Sequence, residues 1–582
     1  HAEDVIRDVA GCLVGSEMCI RDRGIGDMSG DVFGNGLLSS RSIRLVAAFN
    51  HRHIFLDPDP DPQVSFDERK RLFEAALGWD RYDTTLLSSG GGVYERTAKS
   101  ISVTPEVATL LGLEAGAVAP DEMISAILCA EVALLWNGGV GTYVKASWER
   151  NADVGDRAND GLRVDANALR CAVIGEGGNL GMTQAARVEF AGLGGAVNAD
   201  FIDNSAGVDC SDHEVNLKIL LNTEVSAARL DLPERDAMLR QHEDDIAALV
   251  LANNQRQAAA LTLAEAEAAA QPGAYIRLLD HLEATGVLDR SLHALPDRES
   301  LAERIDGGGR LTRPELAVLM CCAKISLKAA LAQHPLSDAA MLTDIIAGEF
   351  PAAISKRFSA RLSEHPLAAE IAATLLSNRI IDQLGMTFVH RLLDLTSAEP
   401  HEVVHAYLVI DALLGIGAVI ERLKAAAIAE ENRSRLILQQ VDLAVQATAW
   451  FTHHHPAERP VTELVERYQP AMEAVASVSP EEYLTDMQKQ SAEHEQIELQ
   501  AFGIAGIPGS AQPAALRVAR LVTEQAATAV AAAQAWREVG QLLQMGPLLN
   551  ALQTVPPTGH WEEMELDASC QQLLEIQYEL AA

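Results

Sequence analysis

Short apolar runs bounded by glycine, asparagine and aspartate recur along the chain as far as about Asn222 and then stop. IRLVAAFN, HIFLD, VALLWNG, RCAVIGEGGN and ADFIDNSAG are each of strand length, and such runs suit strands buried on both faces of a parallel sheet. Helical spacing over Asp67–Leu77 supplies a crossover between two of them. From about Glu224 the chain is rich in Ala, Leu, Glu, Gln and Arg at helical spacing, as in DDIAALVLANNQRQAAALTLAEAEAAA, and is punctuated by Pro272, Pro335, Pro351, Pro366 and Pro456. The sequence therefore predicts an α/β domain over 24–222 and an all-helical region over 223–582, with no repeat of fixed period.

Residues 1–23 fit this scheme poorly. VGSEMCIRDR has no periodicity and abuts a glycine-rich turn with charges where a buried strand is needed. It reads as translated adapter sequence joined to a truncated gene, a genuine N-terminal extension being the alternative. The first strand, before Gly24, is accordingly expected to be missing, distorted or poorly defined.

The net charge of -36, from 82 acidic and 46 basic residues, repels phosphate backbones and anionic membrane surfaces, so neither nucleic acid nor a membrane is expected as a partner. The eight cysteines form no Cys-x-x-Cys pair, which suits a reducing compartment. The most apolar stretch, Val403–Leu423, is broken by Asp411 and reads as a buried amphipathic helix. No secretory signal is visible, and a cytoplasmic location is expected.

Chemistry concentrates first in GIGDMSGDVFGNG. Gly24 and Gly26 fill the first two positions of a G-x-G-x-x-G turn, Asp27 and Met28 the intervening ones and Ser29 the third, followed by Gly30. Missing side chains permit a tight strand-to-helix turn and close approach to a pyrophosphate. Alone the pattern fits an accidental glycine turn equally, but the strand-like IRLVAAF that follows after a helix-length gap favours a Rossmann-like dinucleotide-binding fold. Asn50 stands roughly 20 residues on, where an acidic residue usually holds the adenosine ribose. As a neutral side chain it does not reject a 2′-phosphate, and His51 and Arg52 beside it are able to attract one. His453, His454 and His455 are consecutive, not at the i and i+3 or i+4 spacing of a helical metal site, so no metal is expected. DPDPDP, Asp57–Pro62, reads as a stiff acidic loop.

GDMSGDVFGNG, IRLVAAFNHRHIFLDPDPDP, SGGGVYERTAKSI, LLWNGGVGTYVK, ADVGDRAND, VIGEGGNLGMTQ and DNSAGVDCSDHEVNLKILL, in this order, resemble the nicotinamide-binding domain of the large bacterial NAD-dependent glutamate dehydrogenases. LTRPELAVLMCCAKISL and HPLAAEIAATLLSNRIIDQLGMTFVHRL resemble the helical C-terminal region of the same family. The resemblance implies NAD as cofactor, conversion of L-glutamate to 2-oxoglutarate and ammonium, and a homo-oligomer. It further implies that Asn137, Gly138 and Gly139 form a loop over the nicotinamide ribose. Asn179 would hold the cofactor's ribose or carboxamide, or else be a turn residue between glycines, and Ser211 would contact the substrate's side-chain carboxylate, or else cap a helix.

The family's carbonyl-polarising lysine and proton-transferring aspartate lie in a preceding domain and have no counterpart here. No catalytic residue is therefore assigned, Lys99 reads as a surface lysine, and this chain alone is expected to be inactive. The competing reading is a nucleotide-binding or helical scaffold protein without catalysis.

Overall fold

The computed structural model of this chain describes residues 20–336, 338–455, 459–479, 484, 512–555 and 560–582. Most of 1–23, with Cys12 and Cys19, lies outside the described residues, as does Pro456.

Six apolar or small residues and one arginine, IRLVAAF, make strand β2 (Ile43–Phe49), which is buried along almost its whole length. It belongs to a six-stranded sheet of order β10-β7-β1-β2-β3-β4, with β1 Ile20–Ile25, β3 His53–Leu56, β4 Gly92–Glu95, β7 Leu134–Asn137 and β10 Val173–Glu176. Successive residues of β3 serve opposite faces. Ile54 and Leu56 join a core with Ile25, Phe49, Ile127 and Leu135, whereas Phe55 joins one with Phe33, Leu72, Trp79 and Trp136. Both faces are thus covered, one by α1 (Asp31–Leu38) and α2 (Pro62–Glu74) and the other by helices that include Pro120–Leu128. Asp61 accepts from the Val64 N–H at 2.9 Å and Pro62 opens α2, so the acidic loop ends as a helix cap and α2 begins before the expected Asp67. Elsewhere in this unit lie the small pairs β5 (Ile101–Val103) with β6 (Gly116–Val118) and β8 (Val144–Lys145) with β9 (Val164–Asp165).

Four expectations need correction. β1 is present, not missing: it pairs in parallel with both β2 and β7 at the centre of the sheet, and of the expected alternatives only the distortion is seen, as a register slip against β2 between Asp22 and Arg23. Ladder bonds are made by the backbone, so charged side chains do not prevent the strand. The sheet is not wholly parallel, because β3 and β4 run antiparallel to their neighbours. Only Asn50–Arg52 join β2 to β3, which is enough for a hairpin and far too short for a parallel crossover. ADFIDNSAG forms the short helix α3 (Asp200–Asp203) and the start of α4 (Ala206–Ser226), since a brief apolar run has no periodicity to separate strand from helix. Val403–Leu423 is two helices, Pro400–Leu414 and Ile416–Ala425, bent by 70° at Gly415, which adopts φ 67°.

Among the described residues no named strand follows Glu176. Two compact units divide the chain, the first comprising His1–Val215, Asp236–Leu261 and Asp289–Leu319, the second Asn216–Arg235, Thr262–Leu288 and Met320–Ala582. The units therefore do not follow the division at 222/223. Within the second, helical unit, Glu267 is buried and accepts from Tyr275 Oη at 2.9 Å and from Thr387 Oγ1. Among the described residues no single helix is long and apolar enough to cross a membrane.

Candidate functional site

The carboxyl ends of four parallel strands lie side by side: Ile25 pairs with Phe49 and with Asn137, and Asn137 pairs with Glu176. The segments that leave these ends are the glycine turn, Asn50, Gly138–Gly139 and Gly177–Asn179. They are cross-linked by backbone. The Gly26 N–H donates to Phe49 O at 2.7 Å, Gly138 N–H to Ile25 O at 2.9 Å and Gly178 N–H to Asn137 O at 2.8 Å.

The glycines make room for protein. A Cβ on Gly24 or Gly26 would lie 2.5 Å from the Phe33 ring, and one on Gly138 2.7 Å from Phe33 Cα. Gly26 also holds φ at +142°, which side chains rarely allow. Their absence lets α1 close down on the strands, so that its amino end, capped by Gly30 with no side-chain bond, opens at the edge where the strands finish. Met28, expected at the cofactor, is instead fully buried in the core with Phe33 and Leu37, so its side chain serves packing.

Asp27 and Asn50 form one unit. The Asn50 Oδ1 accepts from the N–H groups of Arg52 and His53, each at 2.7 Å, and its Nδ2 donates to Asp27. The other Asp27 oxygen accepts from the Ser29 N–H at 2.8 Å and from its hydroxyl.

Asn137 is buried, and its Nδ2 has no hydrogen-bond partner. Gly181 packs against that amide and Gly178 against Gly139 O. Asn179 is exposed, and its Oδ1 accepts from Asn204 Nδ2 at 2.8 Å. Leu180 beside it takes φ +63° with its side chain 66% exposed.

Beneath this loop lies a cluster of charges absent from the sequence reading. Arg187 on the helix Gln184–Gly192 clasps Glu176, Nε to Oε2 at 2.6 Å and Nη2 to Oε1 at 2.9 Å, and reaches Asp200 at 3.3 Å. Asp200 accepts the Leu180 N–H at 2.8 Å, which pins the left-handed residue. Asp203 accepts the Glu176 N–H at 2.9 Å and Asn198 Nδ2 at 2.7 Å. Burial pushes the Glu176 carboxyl up against the opposing pull of Arg187. Burial likewise pushes Asp203 up to about 7, opposed by its bonds from Asn198 and the Glu176 N–H. Charged residues next to a glycine run at the end of a buried strand were the available clue.

Ser211 lies inside α4, exposed, with Oγ donating to Gly207 O at 3.3 Å; the helix starts at Ala206, so Ser211 is not its cap. Lys99 is exposed, whereas Lys145 is bound to Asp165. His453 and His454 each bond a carbonyl one turn back and His455 meets Tyr468 Oη at 2.9 Å. Among the described residues no cluster of three or more metal-ligating side chains occurs.

Residues 16–264 match the family profile described as the catalytic domain of bacterial NAD-glutamate dehydrogenase, and residues 308–582 match that of the glutamate dehydrogenase C-terminal region. The chain is 47% identical over 455 residues to an NAD-specific glutamate dehydrogenase of Pseudomonas aeruginosa, covering 78% of this chain and 28% of that protein. It is 43% identical over 459 residues to the protein of the same name from Mycobacterium tuberculosis, again 78% and 28%, and 44% identical over 431 residues to that of Halomonas elongata, 74% and 27%. The chain thus spans little more than a quarter of these relatives, and over that span it belongs to the bacterial NAD-glutamate dehydrogenase family.

Proposed function

We propose that this chain is the Rossmann-like, NAD-binding part of an enzyme that oxidatively deaminates L-glutamate to 2-oxoglutarate and ammonium. The observation that carries the reading is the meeting of the glycine turn, Asn137 and the 177–181 loop where the strand order reverses. β2 follows β1 on one side and β7 flanks it on the other, which is the point where open α/β sheets take their ligands. The fit to a dinucleotide rests on two features: the amino end of α1 faces the turn, and the buried Asn137 Nδ2 is a donor without an acceptor.

In this reading the α1 amino end and the turn receive the pyrophosphate. Asn137 and Asn179 fix the orientation of the nicotinamide half, each offering a donor and an acceptor. The bound nicotinamide supplies the chemistry of hydride acceptance from the substrate's Cα. Arg187 and Asp200 hold the loop that presents Asn179, and Ser211 contacts the distal carboxylate of glutamate. Lys145 is committed to Asp165, and no lysine or aspartate of this chain matches the family's catalytic pair, so the chain is expected to bind NADH without turning glutamate over by itself. Titration of the full chain with NADH, followed by the cofactor's fluorescence, tests the proposal: saturable binding supports it, and no binding overturns it.

A further inference from the structure

The neutral Asn50 leaves open how the site distinguishes NAD from NADP. The hydrogen bonds around it give an answer. With Oδ1 taken by the N–H groups of Arg52 and His53, the amide has one orientation, and Nδ2 points at Asp27 Oδ2. The Asp27 carboxylate is held on its other oxygen by the N–H and hydroxyl of Ser29. An ionised carboxylate has about four acceptor positions, of which three are used here, so one on Oδ2 remains open. Asp27 is half-buried and Ser29 exposed. A second carboxylate stands close: a Cβ on Gly78 would lie 3.7 Å from Asp27 Oδ2 and 3.3 Å from Asp80 Oδ1.

The basic side chains nearby are His51 and Arg52, both exposed on the hairpin, and Arg96, which donates to Asn50 O at 3.2 Å and faces Asp121 at 3.8 Å. Asp80 is balanced in turn by Arg81 at 3.3 Å. The carboxylate of Asp27 is the charge fixed against the end of β2, whereas His51 and Arg52 are free to swing into solvent.

Resting on the NAD-site reading above, we infer that Asp27 selects for a cofactor whose adenosine ribose carries a free 2′-hydroxyl. It supplies from the glycine turn the carboxylate that Asn50 does not supply from the strand end. The open position on Oδ2 accepts a hydroxyl proton, and a 2′-phosphate meets fixed like charge in the same place.

The test uses the full chain and fluorescence titration with NADH and NADPH. The wild type is expected to favour NADH. Asp27→Asn should shrink the NADPH-to-NADH ratio of Kd values by about tenfold, mainly through gained NADPH affinity. The exchange Asp27→Asn/Asn50→Asp keeps the hydrogen bond with donor and acceptor reversed and returns the carboxylate to the strand end, so it should restore the preference. A thermal melt by circular dichroism separates this effect from a merely structural one, which would lower the melting temperature and weaken both cofactors alike. NADH binding with an unchanged ratio in Asp27→Asn would overturn the assignment of Asp27 while leaving the site intact. Binding of neither cofactor by the wild type would overturn the site and this inference together.

Discussion

Glu176 and Arg187 meet in the interior as a two-pronged ion pair, with contacts of 2.6 and 2.9 Å and both side chains out of reach of solvent. Removing one partner strands a buried charge, which costs about 3–5 kcal/mol, whereas removing both is often tolerated. Arg187→Met should therefore destabilise the chain strongly, and Glu176→Gln/Arg187→Met less. Urea denaturation of the wild type, both single variants and the double checks this; a double-variant loss equal to the sum of the two single losses would show the pair to be uncoupled.

Asp203 gives a pH dependence of defined sign. Its folded pKa, about 7, lies above the ordinary 3.8 because of burial, so the folded state holds a proton that the unfolded state releases. Its contribution is fully present below about pH 4 and is lost as pH rises through about 7. Melting temperatures of the wild type and Asp203→Asn between pH 5 and 8 should reveal a downward slope that the variant lacks. A parallel pair of curves would contradict the assignment.

Gly178→Ala should weaken cofactor binding more than it weakens the fold. Its Cβ would lie 2.4 Å from Gly139 O, a backbone atom that cannot rotate away, so the two loops must part. We expect NADH affinity to fall by about tenfold or more, by the same fluorescence titration, with a melting temperature within a few degrees of wild type.

The central strand carries the buried polar group most open to improvement. Asp22 is fully buried, neither carboxyl oxygen has a hydrogen-bond partner, and burial raises its carboxyl well above the usual range. Asp22→Val should raise stability by about 1–3 kcal/mol, read as a higher urea midpoint. A lower midpoint would mean that the carboxyl contributes favourably there, through the Arg69 guanidinium whose charge acts on it.

What the sequence made legible was local. The turn at Gly24, Gly26 and Ser29, and the asparagines at Asn137 and Asn179, stand out because each belongs to a short pattern tied to one strand end. The Asp27–Asn50 bond was hidden because it depends on how the β2–β3 hairpin aims an amide, which residue type alone does not fix. The hairpin itself was readable from its three-residue connection, Asn50–Arg52, had length been weighed against the apolar pattern. The Glu176–Arg187–Asp200 cluster joins residues from a strand and two different helices, and no spacing rule connects them. Gly415 was visible in LLGIG, yet apolar helical spacing continues across it, and only the left-handed backbone reveals the break.

Phe33 touches the space that side chains would occupy at Gly24, Gly26 and Gly138, so one ring and its backbone gauge the separation between a helix and two strands. The transplantable part of this turn is therefore larger than its glycine signature. Anyone moving it into another scaffold has to carry the phenylalanine along, together with a glycine more than a hundred positions downstream, or the imported helix will sit too high to reach its ligand.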